Sequence, residues 1–331
     1  SLRAKVAESG FTRFHSYHEI LYPKTIGGWL NLTPRAGVGM TAYTDVQGRG
    51  NVGDESRFIA HAGLDASFKL TKTYPDATIP ALGLKGARHI IQPYANYSYL
   101  DTDPLDRQFP RVDRLVPSTR LRPLDVSQFT AIDDLSSWNI TRTGIWNRLI
   151  TRRDGSNFDW AGLNTYVDFY IEDPEFDRSH SNLFNELYWN PLPWLSLTID
   201  SQLPIGGGEE FTELITRLRF LPTDWWEFSV GHLHLQDHPF FEDSSQVTFS
   251  TYARLTDNWG VGMIQRYELD DNTLEVQQYS IHRDMTSWTA SLGALIRDNR
   301  GEEEYGIIFA LTLKDFPRVS IPLQLDPSGN Q

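Results

Sequence analysis

The chain has no cysteine and only three methionines, Met40, Met263 and Met285. Without thiols there is neither a disulfide framework nor a thiolate metal site, and cysteine pairing says nothing of the redox compartment. Long hydrophobic runs are missing as well. No stretch nears the roughly 18 apolar residues that a membrane helix requires, and even Ile307 to Ala310 is short. Basic residues are in deficit, 30 Lys and Arg against 43 Asp and Glu, for a formal charge of −13. Neutralising phosphates takes clustered cations, so this balance argues against nucleic acid as a partner. The chain opens at Ser1 without methionine or a charged-then-apolar leader, so a processed protein or, preferably, an excerpt of a longer one is expected.

What is present is alternation. Tyr305, Ile307, Phe309, Leu311 and Leu313 share one face of a strand, opposite Gly306, Ile308, Ala310 and Thr312. The pattern recurs in Trp288 to Ile296, in Trp259, Val261 and Met263, in Val247 to Leu255, and in Leu214, Leu218 and Phe220. The other faces carry polar residues: Glu213, Arg217 and Arg219, then Arg254, then Arg266 and Glu268, then Glu275. A strand of about 10 residues tilted by about 40° rises about 25 Å, the height of a barrel's lipid band. A transmembrane barrel hides only one face of each strand in lipid, so a mean hydropathy of −0.41 is compatible with it.

Four tryptophans, Trp194, Trp225, Trp259 and Trp288, each follow a short turn signal and precede an alternating strand, at spacings of 31, 34 and 29 residues. Two strands and two connections make about one such period, so the tryptophans mark one end of a sheet. Links at that end are tight, whereas the opposite links, Gly206 to Glu210, Asp237 to Ser245, Asp270 to Asn272 and Asp298 to Glu304, are longer and polar. Short periplasmic turns, long extracellular loops and an aromatic girdle at the headgroups match this asymmetry, so the tryptophan end is expected to face the periplasm.

Upstream, strands are expected at about 12–22, 28–44, 57–72, 86–100, 138–152, 160–172 and 180–190, with a short one at 2–9. The total is about 16, in one β domain over 1–331, with 101–130 a single long proline-bearing loop. The fold class expected is all-β, an antiparallel transmembrane β-barrel of about 16 strands and part of a larger one.

Particular stretches then carry a resemblance. The run TRFHSYHEILYPKTIGGWLNLTPRAGVGMTAYT (Thr12 to Thr44), SRFIAHAGLDASFKL (Ser56 to Leu70), ARHIIQPYANYSYL (Ala87 to Leu100), and RDMTSWTASL and EEYGIIFALTLKDFP (between Arg283 and Pro317) resemble the barrel of the LptD (OstA) lipopolysaccharide-assembly family. The most specific piece runs from Arg88 and His89 to Pro93 and Tyr94. The resemblance implies an outer-membrane barrel of roughly two dozen strands that inserts lipopolysaccharide into the outer leaflet. By the same resemblance its partners are lipopolysaccharide, a plug lipoprotein and periplasmic lipopolysaccharide-bridge proteins. It also implies that this chain is the carboxyl-terminal part of such a barrel, without the family's periplasmic jelly-roll domain or its first gate strand. The family often has cysteine before the tryptophan matched by Trp288; Thr286 and Ser287 stand here, which puts disulfide-controlled maturation in doubt.

Functional readings compete with plainer ones. The lumen-facing candidates Glu213, Arg217, Arg219, Arg254, Arg266, Glu268 and Glu275 could meet anionic headgroups, or could be cross-strand pairs that set register. Pro34 and Pro93 lie within strands, where a missing N–H weakens pairing and could ease lateral passage of lipid, or could mark ordinary bulges. His232, His234 and His238 invite a metal reading that lacks a carboxylate at suitable spacing, so no metal or other cofactor is expected. No glycine-flanked nucleophile turn supports a hydrolase, so the chain is not read as an enzyme. The acidic runs Glu209 with Glu210 and Glu302 to Glu304 could bridge divalent cations or simply be solvated. Two alternatives stay open, a general diffusion porin of about 16 strands and a soluble β-sandwich binding module.

Overall fold

Strict alternation leaves each backbone N–H and C=O to be satisfied sideways, and the chain does this with one antiparallel meander. The computed structural model describes residues 10–47, 53–116, 118–175, 177–206, 211–299, 301–314 and 320–325. The expected strand at 2–9 and the acidic pair Glu209 and Glu210 lie outside these. The first strands are β1 (Gly10–Leu21), β2 (Lys24–Ile26), β3 (Leu30–Gln47), β4 (Glu55–Ser67), β5 (Leu70–Ile79) and β6 (Leu84–Thr102). After a connection over 103–137 come β7 (Trp138–Arg153), β8 (Ser156–Glu172), β9 (Leu183–Leu192), β10 (Leu195–Leu203), β11 (Thr212–Thr223) and β12 (Trp226–Gln236). The remainder are β13 (Ser244–Arg254), β14 (Trp259–Glu268), β15 (Thr273–Asp284), β16 (Trp288–Asn299), β17 (Glu302–Leu313) and β18 (Ser320–Leu325).

The expected strands from 12–22 onward are thus present, displaced by a few residues at their ends, except that the one at 57–72 is interrupted and runs on to Ile79. The 18 named strands are 16 staves, because β1 with β2 and β4 with β5 are each one stave interrupted once. The short strand β18 escaped the sequence pattern, since Pro322 breaks up its alternation. Each stave pairs with the next from β1 through β17 to β18, and no pairing joins β1 to β18 among the described residues. Among the described residues there is a single ladder and no second sheet, which leaves a β-sandwich without support.

The two interruptions have one cause. Tyr22 N–H donates to Pro34 O at 3.0 Å, and Leu21 pairs with Arg35 and Lys24 with Leu32 in the same register. Pro34 therefore occupies a narrow pair in which it can accept but not donate. Pro93 repeats this opposite Phe68, whose N–H donates to Pro93 O at 3.3 Å, between β4 and β5. On their other sides β3 pairs with β4 and β6 with β7 without a break. At the hairpin between β7 and β8, Asp154 and Gly155 both have positive φ, 51° and 80°, as the tight primed turn requires.

One face of the sheet is bare and apolar. Phe14, Ile20, Val38, Met40, Phe58, Ile145, Phe169, Leu292 and Ile307 are all exposed on it. The other face holds Tyr43, Ile59, Leu100, Trp138 and Ile140 fully buried, because the 103–137 connection folds back over it. That connection reaches from Arg13 on β1, through Asp113 at 2.6 Å, to Glu213 on β11, through Thr119 at 2.9 Å. One segment thus touches both the first stave and the ninth.

If the missing proline donor makes each interruption, Pro34→Ala should raise unfolding stability by about 0.5–1.5 kcal/mol by completing the narrow pair. Denaturant titration of the refolded protein checks this, and a destabilised variant would refute the assignment.

Candidate functional site

The covered face is built from the alternate positions that point away from the bare one. Along β1, β3, β4 and β6 these include Arg13, Tyr43, Arg57 and Ser98, which meet the 103–137 segment, and His61, which bonds to Ser98. The segment is tied down at Asp133, whose side chain is fully buried. Its Oδ1 accepts from Arg13 Nη1 at 2.9 Å and from Tyr43 OH at 2.8 Å, while Oδ2 accepts from the backbone N–H groups of Val112 and Asp113, both at 2.9 Å. Asp134 does the same for Arg111 Nη1 at 2.8 Å and Leu115 N at 2.6 Å. Arg57 donates to the carbonyls of Leu135, at 3.0 Å, and Ile132. Burial would raise the Asp133 carboxyl, but the N–H groups of Asp113 and Val112, then Tyr43 and Arg13, outweigh it and hold it below its ordinary 3.8.

Apolar packing backs these polar ties. Leu124, Val126, Phe129 and Leu135 from the segment pack on Ile59, Leu100, Trp138 and Ile140. Ser98 Oγ donates to Leu124 O at 2.8 Å and accepts from Trp138 Nε1 at 2.9 Å. Beside this core a two-point pair joins Arg142 to the buried Asp168, at 2.7 and 2.9 Å, and Arg142 also donates to Arg122 O at 3.1 Å.

Of the residues expected to face a lumen, Glu213, Arg217, Arg219, Arg254, Arg266 and Glu268 share this covered face in the ladder, whereas Glu275 falls in a register shift and has no paired position that places it there. Glu213 pairs in register with Leu235 and Gln202, and its carboxylate accepts from Thr119 Oγ1 and Gln202 Nε2. Arg217 and Arg219 follow on the same face; Arg219 makes a two-point pair with Glu227, at 2.6 and 2.9 Å, from the adjoining strand. Arg254 and Arg266 lie on that face opposite Gly260 and Thr248. Glu268 accepts from Ser244 Oγ and Ser245 N, both at 2.7 Å. Glu275, beside the register shift between β14 and β15, accepts from Gln246 Nε2 at 2.9 Å. None of Glu213, Glu268 and Glu275 pairs with Arg217, Arg254 or Arg266 among the described residues. The sequence reading missed Arg13, Tyr43, Arg57, Arg142 and Asp168; a polar residue at every second position of the early strands was the available signal.

Trp194, Trp225, Trp259 and Trp288 are all 37–54% exposed, at one end of the meander. Trp194 O accepts from Leu221 N and Trp225 O from Arg254 N, at 2.8 and 2.7 Å, so successive turns are stitched together. His232 and His234 lie on the bare face with their rings parallel, while His238 sits in the next connection with its ring 4.5 Å from that of Phe211. No group of three or more His, Asp or Glu is placed to hold a metal among the described residues.

Residues 4–287 match the family model LptD: LPS transport system D. The chain belongs to that family. No curated protein matches it. The match takes in the stretches at Thr12 to Thr44, Ser56 to Leu70 and Ala87 to Leu100, and it ends just before β16. LptD proteins are non-catalytic and act in lipopolysaccharide transport at the outer membrane.

Asp133→Ala would leave Arg13, Tyr43 and two backbone N–H groups buried without their acceptor, a loss of about 3–5 kcal/mol. Limited proteolysis should then cut within 103–137 while the strands stay intact. A lowered carboxyl stabilises docking fully above its free value and loses that contribution as pH falls through the docked value. In the native protein the same cleavage should therefore appear only below about pH 4, and equal cleavage at neutral pH would contradict the tie at Asp133.

Proposed function

We propose that this chain forms part of the wall of an outer-membrane translocon that inserts lipopolysaccharide into the outer leaflet. The observation that carries this reading is the reversed polarity of the sheet, with apolar side chains exposed on one face and charged side chains buried on the other. An amphiphile with acyl chains and anionic sugars has the same two preferences, and a closed barrel would offer them on its two sides. The bare face would meet lipid, with the four tryptophans at the periplasmic headgroup level. The covered face would line the lumen, with Arg217, Arg219, Arg254 and Arg266 beside the passing headgroup. The plug lipoprotein and the periplasmic bridge are the partners this role requires.

Pro34 and Pro93 fit the reading as positions of weakened pairing near the first staves. The 103–137 segment fits it as an internal obstruction that gives way when sugar passes. That obstruction disfavours the diffusion-porin alternative, which needs a standing aqueous channel.

Reconstitution with its partners in vesicles tests the role directly: lipopolysaccharide supplied on one side should become accessible to a protease-insensitive surface label on the other. Steady open conductance without lipopolysaccharide movement would instead establish the porin. A second test addresses the orientation of the wall. Phe309→Arg, on the bare face, should cost about 2–4 kcal/mol near the bilayer midplane, and Thr312→Arg, on the opposite face, much less. Unfolding titrations in lipid vesicles measure both, and equal penalties would sink the assigned orientation.

A further inference from the structure

A cleft of about 770 Å³ lies at the end of the sheet opposite the tryptophans. Such a volume falls in the range of ligand-sized sites, about 300–1,000 Å³. Its walls come from different connections: the segment around Arg120 to Ala131, the link after Tyr170, and the link carrying His238 and Phe240. All three walls are internally fixed. Asp173 accepts from Arg178 Nε at 2.6 Å and from the backbone N–H groups of Glu175 and Arg178. His238 Nδ1 accepts from Phe240 N and Phe241 N at 3.1 and 3.2 Å, and burial lowers its ring below 6.5, in keeping with an acceptor nitrogen.

Arg122 lines this cleft and is the group that points to a ligand. Its side chain is 8% exposed, and its guanidinium lies against the rings of Phe129 and Trp138, at 5.6 and 5.7 Å. Nη2 pairs with Glu175, but the buried Nη1 has no hydrogen-bond partner. A buried guanidinium N–H left unpaired costs free energy that an incoming oxygen would recover. On the rim, Phe240 is 63% exposed. The other charged residues of the lining balance, Arg120 and Arg178 against Asp173 and Asp237, so it has no strong net sign to attract a free anion. Paired arginines and carboxylates offer donors and acceptors together, and aromatic faces pack against the C–H face of a pyranose. That combination suits hydroxyl-rich ligands held through their hydroxyls rather than their charges.

We propose that this cleft binds a short oligosaccharide, with Arg122 Nη1 donating to a sugar oxygen and Phe240 packing on a sugar face. That the saccharide belongs to the lipopolysaccharide being moved rests on the transport reading above. At the loop end, the cleft would hold the sugar portion at its exit and bias movement outward.

The test titrates the detergent-solubilised native protein with delipidated core oligosaccharide, released from lipopolysaccharide by mild acid, and follows heat or tryptophan fluorescence. Saturable binding is expected, weakened at least about tenfold by Arg122→Met and several-fold by Phe240→Ala. Lys72→Met, on β5 and outside the cleft lining, should change it less than twofold. Phe240 is exposed in a connection, so its variant keeps the test open should Arg122→Met loosen the segment, which proteolysis would reveal. Unchanged affinity in both cleft variants, or no saturable binding by the native protein, overturns the site. If oligosaccharide fails to bind while lipopolysaccharide is still transported, the cleft is wrong and the transport reading stands; if transport fails too, that reading falls.

Discussion

Period-two alternation in a single antiparallel ladder is the constraint on which everything else here depends. Because the strands pair sideways in a single meander, the two faces of the sheet never meet a second sheet, and each must find its own surroundings. One face consequently exposes Phe14, Ile20, Phe58 and Leu292, while the other encloses Arg57, Asp168 and Glu213. A water-soluble domain reverses that arrangement. Membership of a family that works at the outer membrane supplies the reason it persists.

The buried face is not a uniform polar lining. Across the first half of the ladder it is filled by the 103–137 segment, held by the four-way junction at Asp133 and by the small apolar core around Trp138. Across β12 to β16 it carries Ser250, Thr248, Gln246, Gln278, Ser280 and Ser291 instead, small hydroxyls and amides with glycines between them. The chain thus combines a packed half and a more open half on one surface. Buried charges in the packed half are satisfied by several partners each, which makes the docked state specific as well as stable.

Much of this was legible in the residues. Alternation marked most of the staves, and the tryptophan register marked one end of the sheet, because both follow from the geometry of a strand and a tight turn. The two prolines were legible as irregularities, but what they do was not. Only pairing reveals that Pro34 and Pro93 each sit in a narrow pair opposite an interruption, so that one missing donor divides a neighbouring stave. Strand β18 lay beyond reach for a related reason, since a short strand with an internal proline carries no periodic signal.

By itself, then, the sequence determined the strand class, the faces and the ends, which are set by neighbours one or two positions apart. It also excluded disulfides and helical membrane spans. The tertiary structure alone decided where the long connection goes. An Asp-rich, proline-bearing loop reads the same whether it is solvated or folded inward, and only the meeting of Asp133 with Arg13, about 120 residues away, distinguishes the two. The cleft around Arg122 belongs to the same category: its walls come from distant connections, and nothing local in any of them announces the others.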